Sequence, residues 1–561
     1  MRKINERKII DVFGVKRNKM TGTWQLIKLI LRRDRIKLPI WILSISLFLL
    51  YMIPLLKNSY GTPESLQTLY DTFRINPAGL LLTGMMDAPT FGALFTIETV
   101  LWWGFAIIFM NTLLVIRHTR QNEETGAQEL IMSTNVHRNA SAVAVIIVAF
   151  FANLILGILI ALGMITLSDG DALWSNSQVL LYSSGMTLLG FVWAIIALIV
   201  AQLVESARSV NGILAGLIGI SFLLRGIGDF LGQINSAGLV QPNWISNLSP
   251  FGWIQATRSL TFPDWQPLLI PIIFIIIALP IAFVMLNRRD IGSGLLPSRK
   301  GRACAGIFRR SALGLTCYLQ RNIFFGWLIG VISMTAICGA LVSQMSNVYD
   351  SSPQLAQVIS AMGGTGAQIP VFLSAMLMIV ILMTIAYAIQ SSSKLKSEEF
   401  SGHLENLITT KLSRIGWLLR HFFVILTGIL IILIVAGFTL GLATNLSGEN
   451  VNIGEYILAA LSYFPVVSIF AAGYICLFGL FPRIAGLLIW IYFGFVTFVS
   501  WIGELINLPK WLNNFSPLHY VASAPAENIK IQPLIIIALI AIILTIIGIV
   551  SWRQRDTIKA D

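Results

Sequence analysis

Charged side chains are scarce in this 561-residue chain. Asp, Glu, Lys and Arg together make up 12% of it, whereas hydrophobic side chains make up 56%. Soluble domains usually carry about 25% charged residues, which cover most of their surface. So little charge excludes an ordinary soluble globular protein and predicts an integral membrane protein.

The chain also lacks the patterns of several catalytic and metal-binding classes. Its four cysteines are scattered and three lie inside apolar runs, which excludes a disulfide framework and metal-ligand spacing. They are Cys304, Cys317, Cys338 and Cys476. Five scattered histidines offer no catalytic cluster, and no Gly-Lys pair exists to build the phosphate-binding loop of an ATPase. We therefore predict no enzymatic activity, cofactor or metal for this chain itself.

Long apolar runs are what the chain does contain. Because about 20 residues cross a bilayer as a helix, these runs predict twelve spans. They lie at 38–56, 92–116, 141–167, 178–204, 209–230, 267–286, 323–345, 369–391, 417–443, 454–481, 484–507 and 533–552. No small-residue cleavage site follows the first run, so we expect that helix to stay in the membrane.

The basic residues predict the orientation of these spans. With the N-terminus inside, 33 of the 39 Lys and Arg residues fall on the cytoplasmic side, as the positive-inside rule requires. We predict a multi-pass protein of a prokaryotic cytoplasmic membrane with both termini cytoplasmic. The net charge of +13 is then a signal for topology and lipid headgroups, and not for nucleic acid.

Several short motifs occur twice in the same order, as in many transporters built from repeats. Arg35 and Trp41 correspond to Arg321 and Trp327, 244–250 to 511–517, 266–268 to 532–534, and 289–290 to 555–556. The repeat predicts an all-α protein of twelve transmembrane helices in two pseudo-symmetric six-helix halves. The predicted parts are a basic cytoplasmic tail (1–19), a first half (20–290), a cytoplasmic linker with an interfacial helix (291–322) and a second half (323–561).

Residues before the first span alternate with a helical period. One face would carry Trp24, Ile27, Ile30 and Leu31, and the opposite face Gln25, Lys28, Arg32 and Arg35. This pattern is typical of a helix lying in the membrane interface. A plain cytoplasmic extension of the first span is the alternative interpretation.

Two polar islands interrupt the apolar pattern: the first island, residues 117–134, and the second island, residues 396–410, which share a Glu-x-x-Gly-x-x-Glu spacing. In the first, Arg120, Glu123, Gly126 and Glu129 are three apart, which predicts one side of a short helix. Glycine in a helix costs about 1 kcal/mol relative to alanine, which a close backbone approach would explain. Two copies favour docking to a partner over a solvated loop with internal ion pairs. The candidate docking residues are Arg117, Arg120, Glu123, Glu124, Gly126, Glu129, Lys396, Glu398, Glu399, Gly402 and Glu405.

At these motifs the chain resembles a known family. The block Arg-x-x-Arg-x-x-Glu-Glu-x-Gly-x-x-Glu-Leu, the Ser-Pro loop before the last span of each half, and residues 288–297 are similar to permease subunits of polyketide-antibiotic and tetronasin-resistance ABC exporters. The resemblance implies the type V exporter fold, islands that fit a cleft in a separate ABC ATPase present in two copies, and substrate movement between spans 2, 5, 8 and 11. ATP and Mg would be bound by that partner. The second island departs from the pattern at Ser393, Lys396 and Asn406.

Ionisable and aromatic residues in the spans supply candidates for a substrate path. Burial of charge in a bilayer is expensive, so Glu98, Arg225, Asp229 and Glu504 either pair locally, as Arg225 with Asp229, or serve a gate or a cationic substrate. Large polarizable side chains either line a pocket for lipophilic compounds or face lipid and other helices. The substrate-path candidates are Glu98, Trp102, Phe105, Phe109, Phe222, Met376, Phe493, Phe498 and Trp501. The external-gate candidates are Trp244, Pro250, Trp511 and Pro517.

Together these features predict the permease subunit of an ATP-driven exporter of hydrophobic or amphiphilic compounds, antibiotics among them. Its partners would be the ATPase subunits, membrane lipids and a lipophilic small molecule. A proton-coupled secondary multidrug transporter is the alternative, because it too often has twelve spans in two parallel halves. It would need buried titratable residues along its path.

Overall fold

A computed structural model describes residues 21–75, 84, 86–168, 173–234, 240–296, 306, 310–340, 342, 368–409, 412–502 and 510–555. The chain divides into two compact units, Met1–Lys300 and Gly301–Asp561. Almost every regular element in the described residues is a helix, which confirms the prediction of an all-α membrane protein.

The first unit contains eleven α-helices and one short strand pair among its described residues. The helices are α1 (Thr23–Arg33), α2 (Lys37–Tyr60), α3 (Pro63–Ile75), α4 (Phe91–His118), α5 (Arg120–Glu124), α6 (Ala127–Met132), α7 (Ala140–Ser168), α8 (Asn176–Leu203), α9 (Ala207–Phe230), α10 (Pro250–Gln255) and α11 (Leu269–Arg288). Strands β1 (Gln233–Ile234) and β2 (Val240–Gln241) pair antiparallel. Two 3₁₀ turns, Trp244–Leu248 and Gln266–Leu268, precede α10 and α11.

Hydroxyl side chains fix the starts of three long helices in this unit. Thr90 caps α4, Ser206 caps α9, and Ser175 forms a capping box with Gln178 at the start of α8. Each cap satisfies backbone N–H groups that the first turn of a helix leaves unpaired. The capped helices α4 and α8 form the most buried part of the unit.

The amphipathic pattern before the first span forms the separate helix α1. Ile27 and Ile30 are buried, as the pattern predicted, and α1 packs against α7. Trp24 and Leu31, assigned to the same apolar face, are 63% and 47% exposed. Thr23 and Leu26 are buried in their place, so the buried stripe is shifted around the helix from the predicted one.

The second unit contains nine α-helices among its described residues. They are α12 (Ala312–Ala340), α13 (Gln368–Phe400), α14 (His403–Ile408), α15 (Arg414–Leu446), α16 (Ile453–Ser462), α17 (Phe464–Leu480), α18 (Ala485–Ile502), α19 (Lys510–Asn513) and α20 (Ile531–Gln554), with a 3₁₀ turn at Pro517–Tyr520. Residues 312–322 do not form the separate interfacial helix that we expected, because they are the first turns of the continuous helix α12. The predicted tenth span is split into α16 and α17 at Tyr463.

Eleven helices in the described parts of the chain are long and apolar enough to cross a membrane. The remaining predicted span, 484–507, begins as α18, whose apolar portion is shorter. Residues 503–509, where that span was predicted to end, lie outside the described residues. The chain is a multi-pass membrane protein, and the count of twelve spans stays a prediction.

The segment 244–255 folds back into the first unit. Its 3₁₀ turn leads into α10, where Pro250 occupies the first turn and the Ser249 side chain caps the backbone N–H of Phe251. Phe251 is fully buried, and the indole of Trp253 donates to the carbonyl of Asn247 at 2.6 Å. Protein thus shelters this short helix, as irregular backbone at membrane depth requires.

Candidate functional site

The first island consists of two short helices joined by a left-handed turn. Helix α5 ends at Glu124, Gly126 has φ of +73°, and α6 starts at Ala127. The prediction of one continuous helix through Gly126 is wrong. A Cβ at Gly126 would meet no described atom within 4 Å, so the positive φ explains this glycine and crowding within the chain does not.

The carboxylate of Glu123 is the centre of an ion-pair network, the first clamp, formed by Arg120, Glu123, Gln202, Arg289 and Ser293. Both terminal nitrogens of Arg289 donate to Glu123, one of them to Oε2 at 2.8 Å. Nη1 of Arg120 donates to the same Oε2 at 2.8 Å. A carboxylate held by a two-pronged guanidinium is among the strongest polar contacts in proteins.

Arg120 and Arg289 extend the first clamp to other elements of the unit. Arg120 is fully buried, and it donates to the carbonyl oxygens of Ala201 at 2.6 Å and Ser293 at 2.8 Å. Nε of Arg289 donates to Oε1 of Gln202 at 2.7 Å. The first island is therefore fixed to the end of α8 and to the segment that follows α11.

A second set of contacts fixes the start of the first island to the turn between α1 and α2. Asp34 is 2% exposed and accepts from Arg117 at 2.6 Å, and it shares a 2.7 Å hydrogen bond with the ring of His118. Burial alone would raise the pKa of Asp34, but the hydrogen bonds and charges of His118 and Arg117 bring it below its usual value. Arg33 donates to the side chain of Asn122 at 2.7 Å.

The second island has the same left-handed glycine turn, but the helix that precedes it is different. Helix α13 runs without a break to Phe400, Gly402 has φ of +72°, and α14 follows. As in the first island, a Cβ on this glycine would meet nothing within 4 Å among the described residues. The two islands thus share the left-handed turn, although the helix before it is continuous only in the second.

The second clamp consists of Lys396, Glu399, Arg483 and Arg555. Nη2 of Arg555 donates to Oε2 of Glu399 at 2.8 Å, and Glu399 is 3% exposed. Nζ of Lys396 donates to the carbonyl oxygen of Arg483, in the turn between α17 and α18, at 2.6 Å. In both units, therefore, an island glutamate, half-buried in the first and buried in the second, binds an arginine at the end of the last helix.

Other candidate docking residues point away from the clamps. Glu129 is exposed and its neighbour Leu130 is 74% exposed, while Glu405 is exposed on α14. Glu124 is also exposed, although one of its oxygens accepts from the backbone N–H of Ala207 at 2.7 Å. Glu398 pairs with Lys394 at 3.1 Å. The outward surfaces of the islands are thus small, acidic and partly apolar.

In the first unit, two substrate-path candidates belong to one aromatic cluster. The ring of Phe105 lies 5.7 Å from that of Phe222 and 5.2 Å from that of the buried Phe251. Trp102 and Phe109 lie on the same helix but are 58% and 45% exposed. Glu98 is half-buried near the start of α4.

In the second unit, the candidates do not form one cluster. Phe493 packs with the rings of Phe470 and Trp490 at 6.2 and 5.6 Å. Met376 is half-buried in α13, and Phe498 is exposed. The side chain of Trp501 and the whole of Glu504 lie outside the described residues.

The end of the first unit opposite the island contains charged groups. Arg225 and Asp229 pair at 3.2 Å, as their spacing predicted, and Ser246 donates to Asp229. Asp87, which the sequence analysis missed, lies 3.5 Å from Arg258. Burial raises the pKa of Asp87 to about 6, although the charge of Arg258 opposes the shift. Asp87, Asp229 and Arg258 line a cavity of about 410 Å³.

The gate candidates differ in exposure within each segment. Trp244 and Trp511 are 68% and 60% exposed, whereas Pro250 and Pro517 are buried. Pro517 lines a cavity of about 630 Å³ in the second unit together with aromatic side chains such as Tyr492. The prolines are thus part of the packed segments, and the tryptophans lie at their surface.

Comparison with known proteins gives two matches. A family model described as the multidrug efflux system permease Rv1217c, C-terminal domain, matches residues 310–553. The multidrug efflux system permease protein Rv1217c of Mycobacterium tuberculosis (strain ATCC 25618 / H37Rv) is 28% identical over 539 residues, which cover 96% of this chain and 95% of that protein. The similarity supports a drug-efflux permease, whereas neither match names a polyketide or tetronasin exporter.

Proposed function

We propose that this chain is the permease subunit of an ATP-driven exporter of hydrophobic or amphiphilic compounds, with antibiotics among its substrates. The observation that carries the proposal is the similarity to a multidrug efflux permease along 96% of the chain. Eleven span-capable helices in the described residues agree with this role. Substrate passage along α4, α9, α13 and α18 is part of the proposal.

In this proposal the two islands dock onto two copies of a separate ABC ATPase, which binds the ATP and Mg. Support comes from the different environments of the two sides of the first island. The buried side of the first island is tied to its own unit by Glu123 and Arg120, while Glu129 and Leu130 are exposed. A partner that moves the exposed side would move the clamped helices with it.

A charge reversal on the exposed side tests the docking without disturbing the clamp. We expect Glu129→Arg, in a chain co-purified with its ATPase in lipid, to lower drug-stimulated ATP hydrolysis by about tenfold, since reversal of an interface charge readily costs 1.4 kcal/mol or more. Glu405→Arg should have a smaller effect if the second island is the weaker docking site. Glu64→Arg reverses an exposed charge on α3, far along the chain from both islands, and is the matched control.

Two outcomes would contradict the proposal. Undiminished drug-stimulated hydrolysis in both Glu129→Arg and Glu405→Arg would exclude docking through these surfaces. Drug transport that persists in ATP-free vesicles under a proton gradient would instead support the proton-coupled transporter. The melting temperature of each variant shows whether a loss of activity comes from unfolding.

A further inference from the structure

A cavity of about 350 Å³ lies in the second unit where α12, α13 and α15 meet. Phe324 and Ile431 are among the apolar residues that line it, and Phe325 and Phe423, which are 55% and 59% exposed, lie at its rim. Exposed apolar side chains on membrane-spanning helices face hydrocarbon, so lipid chains have access to this cavity.

One polar group inside this cavity has an unused hydrogen-bonding atom. Gln320 is 1% exposed, and its Oε1 accepts from the hydroxyl of Ser391 at 2.8 Å. Its Nε2 is buried and has no hydrogen-bond acceptor among the described residues. Because this donor is unpaired and lies on the cavity wall, it is available to an acceptor of a ligand in the cavity.

A positive charge lies beside the same cavity. The guanidinium of Arg321 lies over the ring of Tyr318, 3.9 Å from its centroid, and the residue is exposed. It takes part in none of the ion pairs found in the described parts of the chain. An anion next to Arg321 would therefore not have to displace a carboxylate from it.

In the first unit, an aspartate stands at the position that corresponds to Gln320. The correspondence of Arg35 with Arg321 also aligns Asp34 with Gln320. Asp34 supplies a carboxylate, and Arg117 and His118 bind it. The second unit has a neutral amide in its place, so it lacks the built-in acidic group of the first.

We propose that this cavity binds an anionic phospholipid. An acyl chain lies along Phe324 and Ile431, an oxygen of the headgroup or glycerol region accepts from Nε2 of Gln320, and the phosphate lies beside Arg321. Donors and a positive charge at one end of an apolar cavity fit an amphiphile with an anionic head and disfavour a cationic one. The predicted topology places Arg321 on the cytoplasmic side, where such headgroups attract basic residues.

Photo-crosslinking tests the proposal on the purified full chain in phosphatidylcholine nanodiscs. A trace of phosphatidylglycerol with a photoreactive acyl chain should label peptides from 313–325 and 423–431. Arg321→Gln and Gln320→Leu should each lower this labelling by about tenfold, as expected for the loss of a hydrogen bond to a charged group. Val424→Trp, which fills the cavity with an apolar side chain, should lower it as well.

Arg35, which corresponds to Arg321 in the first half of the chain, supplies the control. Arg35→Gln removes the same charge from the corresponding place of the first unit and should leave labelling of these peptides unchanged. Equal labelling by photoreactive phosphatidylcholine, or equal losses in Arg35→Gln and Arg321→Gln, would overturn the proposal. So would displacement of the label by a lipophilic drug but not by excess phosphatidylglycerol, since that result assigns the cavity to substrate.

Discussion

The two clamps differ in the residue three positions before the glutamate. In the first unit, Glu123 accepts from two arginines, and Arg120 also binds two carbonyl oxygens. In the second unit, the corresponding tie is a 2.8 Å contact of Glu399 with Arg555, and a lysine, Lys396, stands in place of Arg120. Both clamps share a glutamate that accepts from an arginine at the end of the last helix.

The exchange of arginine for lysine changes how many groups this position can bind. A lysine presents one compact charge, so it cannot bind a carboxylate and two carbonyl groups in the planar arrangement that arginine provides. Arg120 therefore makes more hydrogen bonds in the first clamp than Lys396 makes in the second. We infer that the glutamate–arginine pair is the attachment shared by both units and that the two carbonyl contacts of Arg120 are particular to the first unit.

The largest expected effect comes from removing the arginine of each clamp. Arg289→Leu removes the bidentate partner of the half-buried Glu123 and leaves Arg120 as its remaining arginine, and it should lower the free energy of unfolding by about 3 kcal/mol, because the carboxylate loses most of its compensation and Gln202 loses a partner. Arg555→Leu should cost less, since the Arg555 side chain is 16% exposed and water already solvates part of it, although the Glu399 side chain is 1% exposed. Thermal or denaturant unfolding of the purified chain in detergent measures both.

The exposed neighbour Arg288 provides the control for this comparison, because Arg288→Leu removes a charge at the same helix end but no clamp contact. Adding Glu123→Gln to Arg289→Leu should recover part of the loss, since the stranded carboxylate is gone. Equal effects of Arg289→Leu and Arg555→Leu would show that the extra hydrogen bonds of the first clamp add nothing to stability.

A smaller effect, with a diagnostic pH dependence, is expected at Asp34. Its pKa in the folded chain lies below the unperturbed value of 3.8, so its carboxylate contributes stability above that pH and loses it as the pH falls through the folded pKa. Asp34→Gln introduces the residue of the second unit and should lower the free energy of unfolding at neutral pH by about 2 kcal/mol. The difference in melting temperature from the unmodified chain should shrink below pH 3.8.

The reverse exchange, Gln320→Asp, should also recover on acidification, but at a higher pH than Asp34→Gln, because a buried carboxylate without a positive partner has a raised pKa. It places a carboxylate beside Ser391, where Lys394 is already paired with Glu398, so the variant should be least stable at neutral pH and recover as the acid is protonated. Recovery of Gln320→Asp only below pH 3.8, the range expected for Asp34→Gln, would contradict this difference between the two places.

The smallest effect is expected at the glycine turns, which have the same left-handed conformation in both islands. Gly126→Ala and Gly402→Ala should each lower the free energy of unfolding by about 1 kcal/mol, because a side chain in the left-handed region is strained even where space is open. Gly212→Ala, in the helix α9 with equally open space, should be neutral or stabilising. A neutral result at only one island would show that the turn is not a shared requirement.

Local features of the fold were predictable from the sequence, because they depend on neighbours in the chain. Apolar runs identified the spanning helices, and the period of Ile27 and Ile30 identified the buried stripe of α1. The same reasoning failed at Gly126, since spacing by three also fits two short helices joined by a turn. A preference for a positive φ at glycine leaves no separate mark in the sequence.

The clamps were harder to predict because their residues are far apart. Glu123 and Arg289 are separated by 166 positions, and a binary pattern of polar and apolar residues carries no information about such a pair. One signal was present: the arginine after the last span recurs as Arg555, just as Glu123 recurs as Glu399. The recurrence of both charged residues in the two repeats would have indicated this pairing.

Each clamp draws all of its members from one half of the chain. The partners of Glu123 precede residue 300, and those named for Glu399 follow residue 301. A single ancestral half would therefore have carried a complete glutamate–arginine attachment before the duplication, and two identical copies of it could have assembled as a homodimer. Under the predicted duplication, one polypeptide lets each copy mutate separately, and Lys396 and Gln320 stand where the first half has Arg120 and Asp34.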